Sequence, residues 1–219
     1  MRISSKVLIL AIAKLAFLGN GSQAANSRVT PPPDECPEVT TEIAKLRSRN
    51  KNVRNQAQER IVALSQNSDQ LRQCVIRSMS DILRAPRTFS DPALFLKYPE
   101  LYDVWNGAVD VLAGIGAVET IPALIDCIRC NDGAFNLGLR HFHAAIALVG
   151  FGEAAIPGLE NALANRPPEV RYLIVMVLHE IGGEKAKEIL IRRLKTEEDD
   201  SVTRLIKNVI TNWRNLKPE

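Results

Sequence analysis

The side chains best able to do chemistry in this sequence are four cysteines, and two of them are spaced as a redox pair would be. Cys127 and Cys130 lie three residues apart. Their position argues against redox catalysis, because they fall in the last turn of a predicted helix, where the negative end of the helix dipole disfavours a thiolate. A local disulfide and two partly buried thiols both remain open for this pair.

The other two cysteines are far apart in sequence. Cys36 directly precedes the first predicted helix, and Cys74 lies in the second helix of the first predicted helical pair. A bridge between them would fix an extended N-terminal segment to the folded region and would contribute about 2–4 kcal/mol to stability. Four cysteines permit three full pairings, so the sequence leaves the connectivity open.

No other group of residues has the spacing of a chemical site. His141 and His143 are two residues apart, which puts them about 200° apart around a helix and prevents shared metal coordination. His179 has no second histidine four residues further on. The carboxylates of residues 197–200 are interpreted as a solvated loop without a role. We therefore expect no catalytic, cofactor-binding or metal site, and a protein that is not an enzyme.

The N-terminus has the pattern of a secretory signal peptide. Arg2 and Lys6 precede an apolar stretch, and Ser22 and Ala24 provide the small residues that a signal peptidase requires. Lys14 interrupts the apolar stretch, which argues against a retained membrane anchor. Residues 1–24 are predicted to be removed, leaving an exported protein, periplasmic or secreted, without an integral membrane segment.

The charge balance and composition of the remaining chain divide it into two parts. Removing residues 1–24 leaves 25 basic and 25 acidic side chains, so the mature chain is formally neutral and gives no reason to expect nucleic acid as a partner. Residues 25–37 are rich in proline and predict a flexible tether. Residues 38–219 form the predicted folded region.

Three copies of one pattern dominate the folded region. The segments 112–116, 148–152 and 178–182 each read leucine, two residues, an apolar residue and glycine, at spacings of 36 and 30 residues. In each copy the pattern ends a first helix, and an amphipathic second helix follows over 117–130, 153–164 or 184–195. The glycine ends the first helix and lets the chain reverse. Leu148, Leu178 and Ile181 are expected to be buried between helix layers.

Weaker copies flank these three. Helices are predicted over 52–64 and 69–83 on the N-terminal side, and from 200 to about 213 on the C-terminal side. A short helix over 40–47 is expected to cap the array. The fold class is therefore all-α: a right-handed α-solenoid of about four to five helical pairs.

The chain from about 53 to 213 resembles HEAT repeat proteins, in particular the short-repeat group of the phycobilin-lyase type. The resemblance rests chiefly on Val170, Arg171, Leu178, Gly182 and Leu190. It implies a HEAT-type scaffold whose stacked second helices form a concave surface that docks a protein or peptide. The alternative that it implies is a bilin-lyase-like enzyme, or enzyme accessory, that handles a chromophore. No cofactor is expected for the scaffold, and a monomer is expected.

One stretch departs from the repeat pattern. The segment 84–99 is longer than a HEAT loop and carries Phe89, Phe95 and Tyr98. Exposed aromatic side chains provide large contact areas at low entropic cost, so these three residues are candidates for partner binding. The alternative is that they fold back and close the core of the solenoid.

Overall fold

The helices of the chain were located in a computed structural model, which describes residues 36–84, 99–129 and 138–213, without the side chains of 99–103. These ranges contain ten α-helices and no β-strand. The helices are α1 (Pro37–Lys45), α2 (Lys51–Asn67), α3 (Asp69–Arg84), α4 (Pro99–Ile115), α5 (Ile121–Asp126), α6 (His143–Gly150), α7 (Ile156–Asn165), α8 (Pro168–Ile181), α9 (Gly183–Leu194) and α10 (Asp200–Thr211). Short 3₁₀ segments precede α5, α6 and α7.

The helices stack in two layers. In the first layer, α2, α4, α6, α8 and α10 contact one another in that order, and in the second layer α3, α5, α7 and α9 do the same. Each second-layer helix also contacts the first-layer helix that follows it in the chain. The described chain is thus an all-helical α-solenoid of four helical pairs, with α1 at one end and α10 at the other. The right-handedness of the solenoid stays a prediction.

Glycines end the first helices of three pairs, as the sequence pattern predicts. Gly116, Gly152 and Gly182 have φ angles of 66°, 56° and 73°, in the left-handed region that glycine adopts without a steric penalty. Pro122 and Pro157 lie in the first two positions of α5 and α7, where no helical hydrogen bond requires their missing N–H. The same local sequence therefore makes the same turn in successive repeats.

The apolar face of each helix is buried between the layers. Leu112, Leu148 and Leu178 are fully buried, and one core cluster runs from Cys36 to Val209. Ile181, which was expected to be buried, is only partly buried and packs against the edge of this cluster. It is the last residue of α8, where the chain leaves the layer.

The starts of the helices differ from the predicted ones in two main ways, and α5 also ends at Asp126 and not at residue 130. The first helix begins at Pro37 and not at residue 40, with Pro37 in its first turn and Cys36 as its N-cap. The last residue assigned to the tether is therefore helical. The α-helices α5 and α7 begin later than predicted, because a 3₁₀ turn occupies Val118–Thr120 and Gly152–Ala155.

Replacing Leu178 with alanine tests the register of the repeats. Because Leu178 is fully buried, we expect the substitution to lower the free energy of unfolding by about 2–5 kcal/mol, measured by urea denaturation. Ile191→Ala is the matched control: its side chain is 40% exposed, so we expect a loss of less than about 1 kcal/mol. Equal losses in the two variants would show that the register is wrong.

Candidate functional site

A disulfide joins the start of the folded region to the first helical pair. Cys36, just before α1, is bonded to Cys74 of α3, with 6.6 Å between their Cα atoms. Both residues are buried. The bridge holds α1 against the N-terminal end of the array, where the first pair would otherwise present an uncovered face.

Of the second pair of cysteines, the structure describes Cys127. Cys127 is fully buried and disulfide-bonded, which rules out the alternative of an unpaired thiol at this position. It lies immediately after α5, at the helix C-cap. Cys130 lies outside the described residues.

The carboxylates of residues 197–200 were predicted to be solvated and without a role, and that prediction is wrong for two of them. The side chain of Glu197 is fully buried between two arginines. Its Oε2 accepts hydrogen bonds from Nε of Arg171, in α8, at 2.9 Å and from Nε of Arg193, in α9, at 2.8 Å. A second Arg171 nitrogen, Nη2, bonds Oε1. One carboxylate thus ties both helices of this pair to the loop that leads into α10.

The backbone completes this cluster. The N–H groups of Glu198 and Asp199 donate to Glu197 Oε1 at 3.1 and 2.9 Å. Asp199 in turn is the N-cap of α10, because its carboxylate accepts from the N–H groups of Ser201 and Val202. Arg171 is one of the residues that carry the resemblance to HEAT repeats, but the sequence alone does not indicate that its acceptor is Glu197.

The surroundings of Glu197 determine its protonation. Burial by itself raises the pKa of this carboxyl, but hydrogen bonds from Arg171 and Arg193, together with the backbone N–H of Asp199, outweigh it and lower the pKa to about 2. The same hydrogen bond raises the pKa of Arg171. The cluster is therefore charged throughout the physiological pH range and acts as a structural clamp between repeats.

A second set of ion pairs lies on the solvent side of the second layer. Asp126, at the end of α5, pairs with Arg84 of α3, at 3.6 Å, and with Arg166, which follows α7. Glu160 of α7 pairs with Arg192 of α9 at 2.5 Å. We call these five residues the second-layer surface. Exposed pairs of this kind each contribute less than about 1 kcal/mol, so they order the side chains more than they stabilise the fold.

The histidines lie in three different settings. His141 ends a 3₁₀ turn and His143 begins α6, while the ring of His179 packs against that of Trp213 with 5.4 Å between centroids. Across the described ranges, no group of three or more histidine, cysteine, aspartate or glutamate residues has the geometry to hold a metal ion.

The aromatic candidates Phe89, Phe95 and Tyr98 lie outside the described residues. The helices on either side of this segment are hydrogen-bonded to each other. Trp105 Nε1 in α4 donates to the carbonyl oxygen of Ile82 in α3, at 3.2 Å. Among the helices that the structure describes, none is long and apolar enough to span a membrane.

Comparison with known families bears on the C-terminal half of the array. Residues 141–209, which run from the turn before α6 into α10, match the family model for HEAT repeats. This part of the chain consists of HEAT repeats. The match does not distinguish the phycobilin-lyase-type subgroup from other HEAT repeats, so membership of that subgroup stays an expectation. No curated protein matches the chain. The Glu197 clamp lies inside the matched HEAT repeats, between the last complete pair and α10.

The pKa of Glu197 makes the HEAT array sensitive to acid in a defined pH range. Because the folded-state pKa, about 2, lies below the usual value of 4.5, the carboxylate stabilises the fold fully above about pH 4.5. This contribution is lost as the pH falls towards 2. At about 1.4 kcal/mol per pKa unit, it is on the order of 3 kcal/mol. Urea denaturation at a series of pH values measures it.

The variant Glu197→Gln isolates this carboxylate. We expect it to be less stable than the parent protein at pH 7, with the difference shrinking as the pH falls below about 4.5. Glu198→Gln, a change at the exposed neighbour, is the control and should follow the parent curve. A difference between Glu197→Gln and the parent that stays constant down to about pH 2.5 would contradict the clamp.

Proposed function

We propose that this protein is an exported scaffold that docks a protein or peptide on the second-layer surface. HEAT repeats indicate a protein-interaction scaffold. The observation that carries the proposal is the unbroken second layer: α3, α5, α7 and α9 lie side by side, so their outward faces form one extended surface across four repeats.

The charges on this surface suit a polar segment of chain. Asp126 lies between Arg84 and Arg166, and Glu160 lies beside Arg192, so basic and acidic groups alternate across neighbouring helices. Because these side chains are already ordered by one another, little conformational entropy is lost when a partner binds them. A partner of alternating charge can exchange these exposed pairs for pairs of its own.

The second layer also has exposed apolar side chains. Ile191 of α9 is 40% exposed and is adjacent in the chain to Arg192. Pro122 and Pro157 are also exposed, at the starts of α5 and α7. Apolar side chains of this kind supply the dehydrated centre of an interface, and the surrounding charges supply its polar rim. Phe89, Phe95 and Tyr98 belong to the same proposal as further anchors.

The proposed export rests on two features. Residues 1–24 have the pattern of a signal peptide, and the Cys36–Cys74 disulfide is a bond that persists in oxidising compartments outside the cytoplasm. In the described part of the chain, no observation favours the chromophore-handling alternative over the scaffold.

Substitution on the second layer tests the docking proposal. In the native host, we expect the double variant Ile191→Asp/Arg192→Glu to capture at least about tenfold less partner than the parent protein does. Its melting temperature should stay within a few degrees, since both side chains are exposed. Val118→Asp, at a 59% exposed position in the turn before α5, is the control. Unchanged capture by the double variant would contradict docking on this layer.

N-terminal sequencing tests export separately. We expect protein purified from the exported fraction to begin at Ala25, or at Asn26 if cleavage follows Ala25, since Ser22 and Ala24 mark the cleavage site. An intact Met1 in that fraction would contradict a cleaved leader without affecting the scaffold proposal.

A further inference from the structure

The helix α5 is shorter than its equivalents in the second layer. It has six residues, whereas α7 has ten and α9 has twelve. The apolar stripe of α5 does not end with the helix, because Ile128, one turn after Leu124, is also buried. Residues 127–130 contain neither glycine nor proline, the residues that most readily end a helix. The apolar pattern and the backbone propensities therefore do not explain why α5 ends at Asp126.

The backbone tightens at Cys127. The N–H of Cys127 is shared between the carbonyl oxygens of Ala123, at 3.1 Å, and Leu124, at 3.2 Å. The N–H of Ile128 then donates to the carbonyl oxygen of Ile125 at 3.2 Å. The hydrogen bonds thus change from the i−4 acceptor of an α-helix to the i−3 acceptor of a 3₁₀ turn. In a 3₁₀ turn, side chains three residues apart eclipse one another, whereas on an α-helix their Cβ atoms stay about 5–6 Å apart.

The number of cysteines identifies the covalent partner of Cys127. The chain has four cysteines, and Cys36 and Cys74 are bonded to each other. Cys127 is itself disulfide-bonded, so within one chain its remaining partner is Cys130, three residues further on. A disulfide needs about 3.5–4.5 Å between its Cβ atoms. A regular α-helix does not bring residues three apart this close, whereas a tightened turn does.

We propose that Cys127 and Cys130 form a local disulfide, and that this bond ends α5 one turn early. When the bond is reduced, residues 127–130 complete the helix that the apolar periodicity predicts. The bond is a reversible end to the helix and not a redox catalyst, because Cys127 is fully buried and the C-terminal end of a helix disfavours a thiolate. The inference does not depend on the docking proposal.

Reduction of this bond takes two electrons from an external dithiol. Because the Cys127 side chain is fully buried, a thiolate of the dithiol attacks the sulfur of Cys130, and Cys127 leaves as a thiolate that takes up a proton. The second thiol of the dithiol then attacks the mixed disulfide and releases Cys130, which takes up the other proton. The dithiol ends as a disulfide, and an external disulfide reverses the reaction.

The bond also sets the direction of Arg129, which lies between the two cysteines. Arg129 Nη1 pairs with Glu169 Oε1, at the start of α8, at 2.9 Å. Three residues turn through about 360° in a 3₁₀ turn and about 300° in an α-helix. Extension of α5 therefore rotates Arg129 by on the order of 60° and draws it away from Glu169. The redox state of this bond thus controls a contact between neighbouring repeats.

A tryptic disulfide map of the full mature chain tests the pairing, because trypsin cleaves after Arg129, between the two cysteines. Without reduction, we expect peptides 98–129 and 130–140 to be recovered as one linked species that separates when reduced. Peptide 98–129 linked to 29–45 or 73–77, which carry Cys36 and Cys74, would overturn the proposal. Peptide 98–129 linked to a second copy of itself, or carrying a free thiol, would overturn it as well.

Amide hydrogen exchange, detected by NMR, tests whether the bond ends the helix. In Cys127→Ser/Cys130→Ser, we expect the amides of residues 129 and 130 to exchange at least about tenfold more slowly than in the parent protein, because they enter helical hydrogen bonds. Serine and cysteine have similar helix propensities, so the substitution does not lengthen the helix by itself. Cys36→Ser/Cys74→Ser, which removes the other disulfide, is the control and should leave these two amides at the parent rate.

Equal or faster exchange of these amides in Cys127→Ser/Cys130→Ser would show that the bond does not end α5. If that variant does not fold, reduction of the control variant with dithiothreitol gives the same comparison, since the control variant retains only the local bond. Slower exchange after reduction supports the proposal, and an unchanged or faster rate contradicts it.

Discussion

Each helical pair in this chain has apolar side chains on more than one face, and it can bury them only against the pairs on either side. Leu112, Leu148 and Leu178 occupy the same position in three successive first helices, and all are fully buried. Burying a leucine stabilises the fold by about 1.5–3 kcal/mol relative to leaving it exposed. A helical pair shifted by one residue against its neighbour would therefore lose the stabilisation from its buried leucine. The common register of these leucines is the constraint from which the two layers, the glycine turns and the surfaces follow.

An array held together in this way needs additional stabilising interactions at its ends, because a terminal pair has only one neighbour. At the N-terminal end, the Cys36–Cys74 disulfide holds α1 against the first pair. At the C-terminal end, the Glu197 carboxylate binds Arg171 and Arg193 and orders the loop that leads into α10, whose outer face is polar. One end is thus fixed by a covalent bond and the other by a buried charge cluster.

The sequence predicted the parts of the fold that depend on periodicity. The leucine positions, the three glycine turns and the two-layer order all follow from one repeated pattern, since each copy makes the same local structure. It could not predict the role of Glu197, because a run of four acidic residues resembles a solvated loop until its partners are known, and Arg171 lies 26 residues away. Ile181 differs for a local reason: its apolar character fits the core, but it lies where α8 ends and the chain turns outwards.

The surfaces were less predictable than the core, since the repeat pattern fixes only which side of a helix is buried. The ion pairs of the second-layer surface join residues from different repeats, and only the stacking brings them together. Hydrogen–deuterium exchange with and without a partner captured from the native host tests the proposed scaffold most directly. We expect the partner to slow amide exchange in α3, α5, α7 and α9 more than in α4, α6 and α8. Slowing confined to the first-layer helices, or no slowing in any helix, would contradict docking on the second layer.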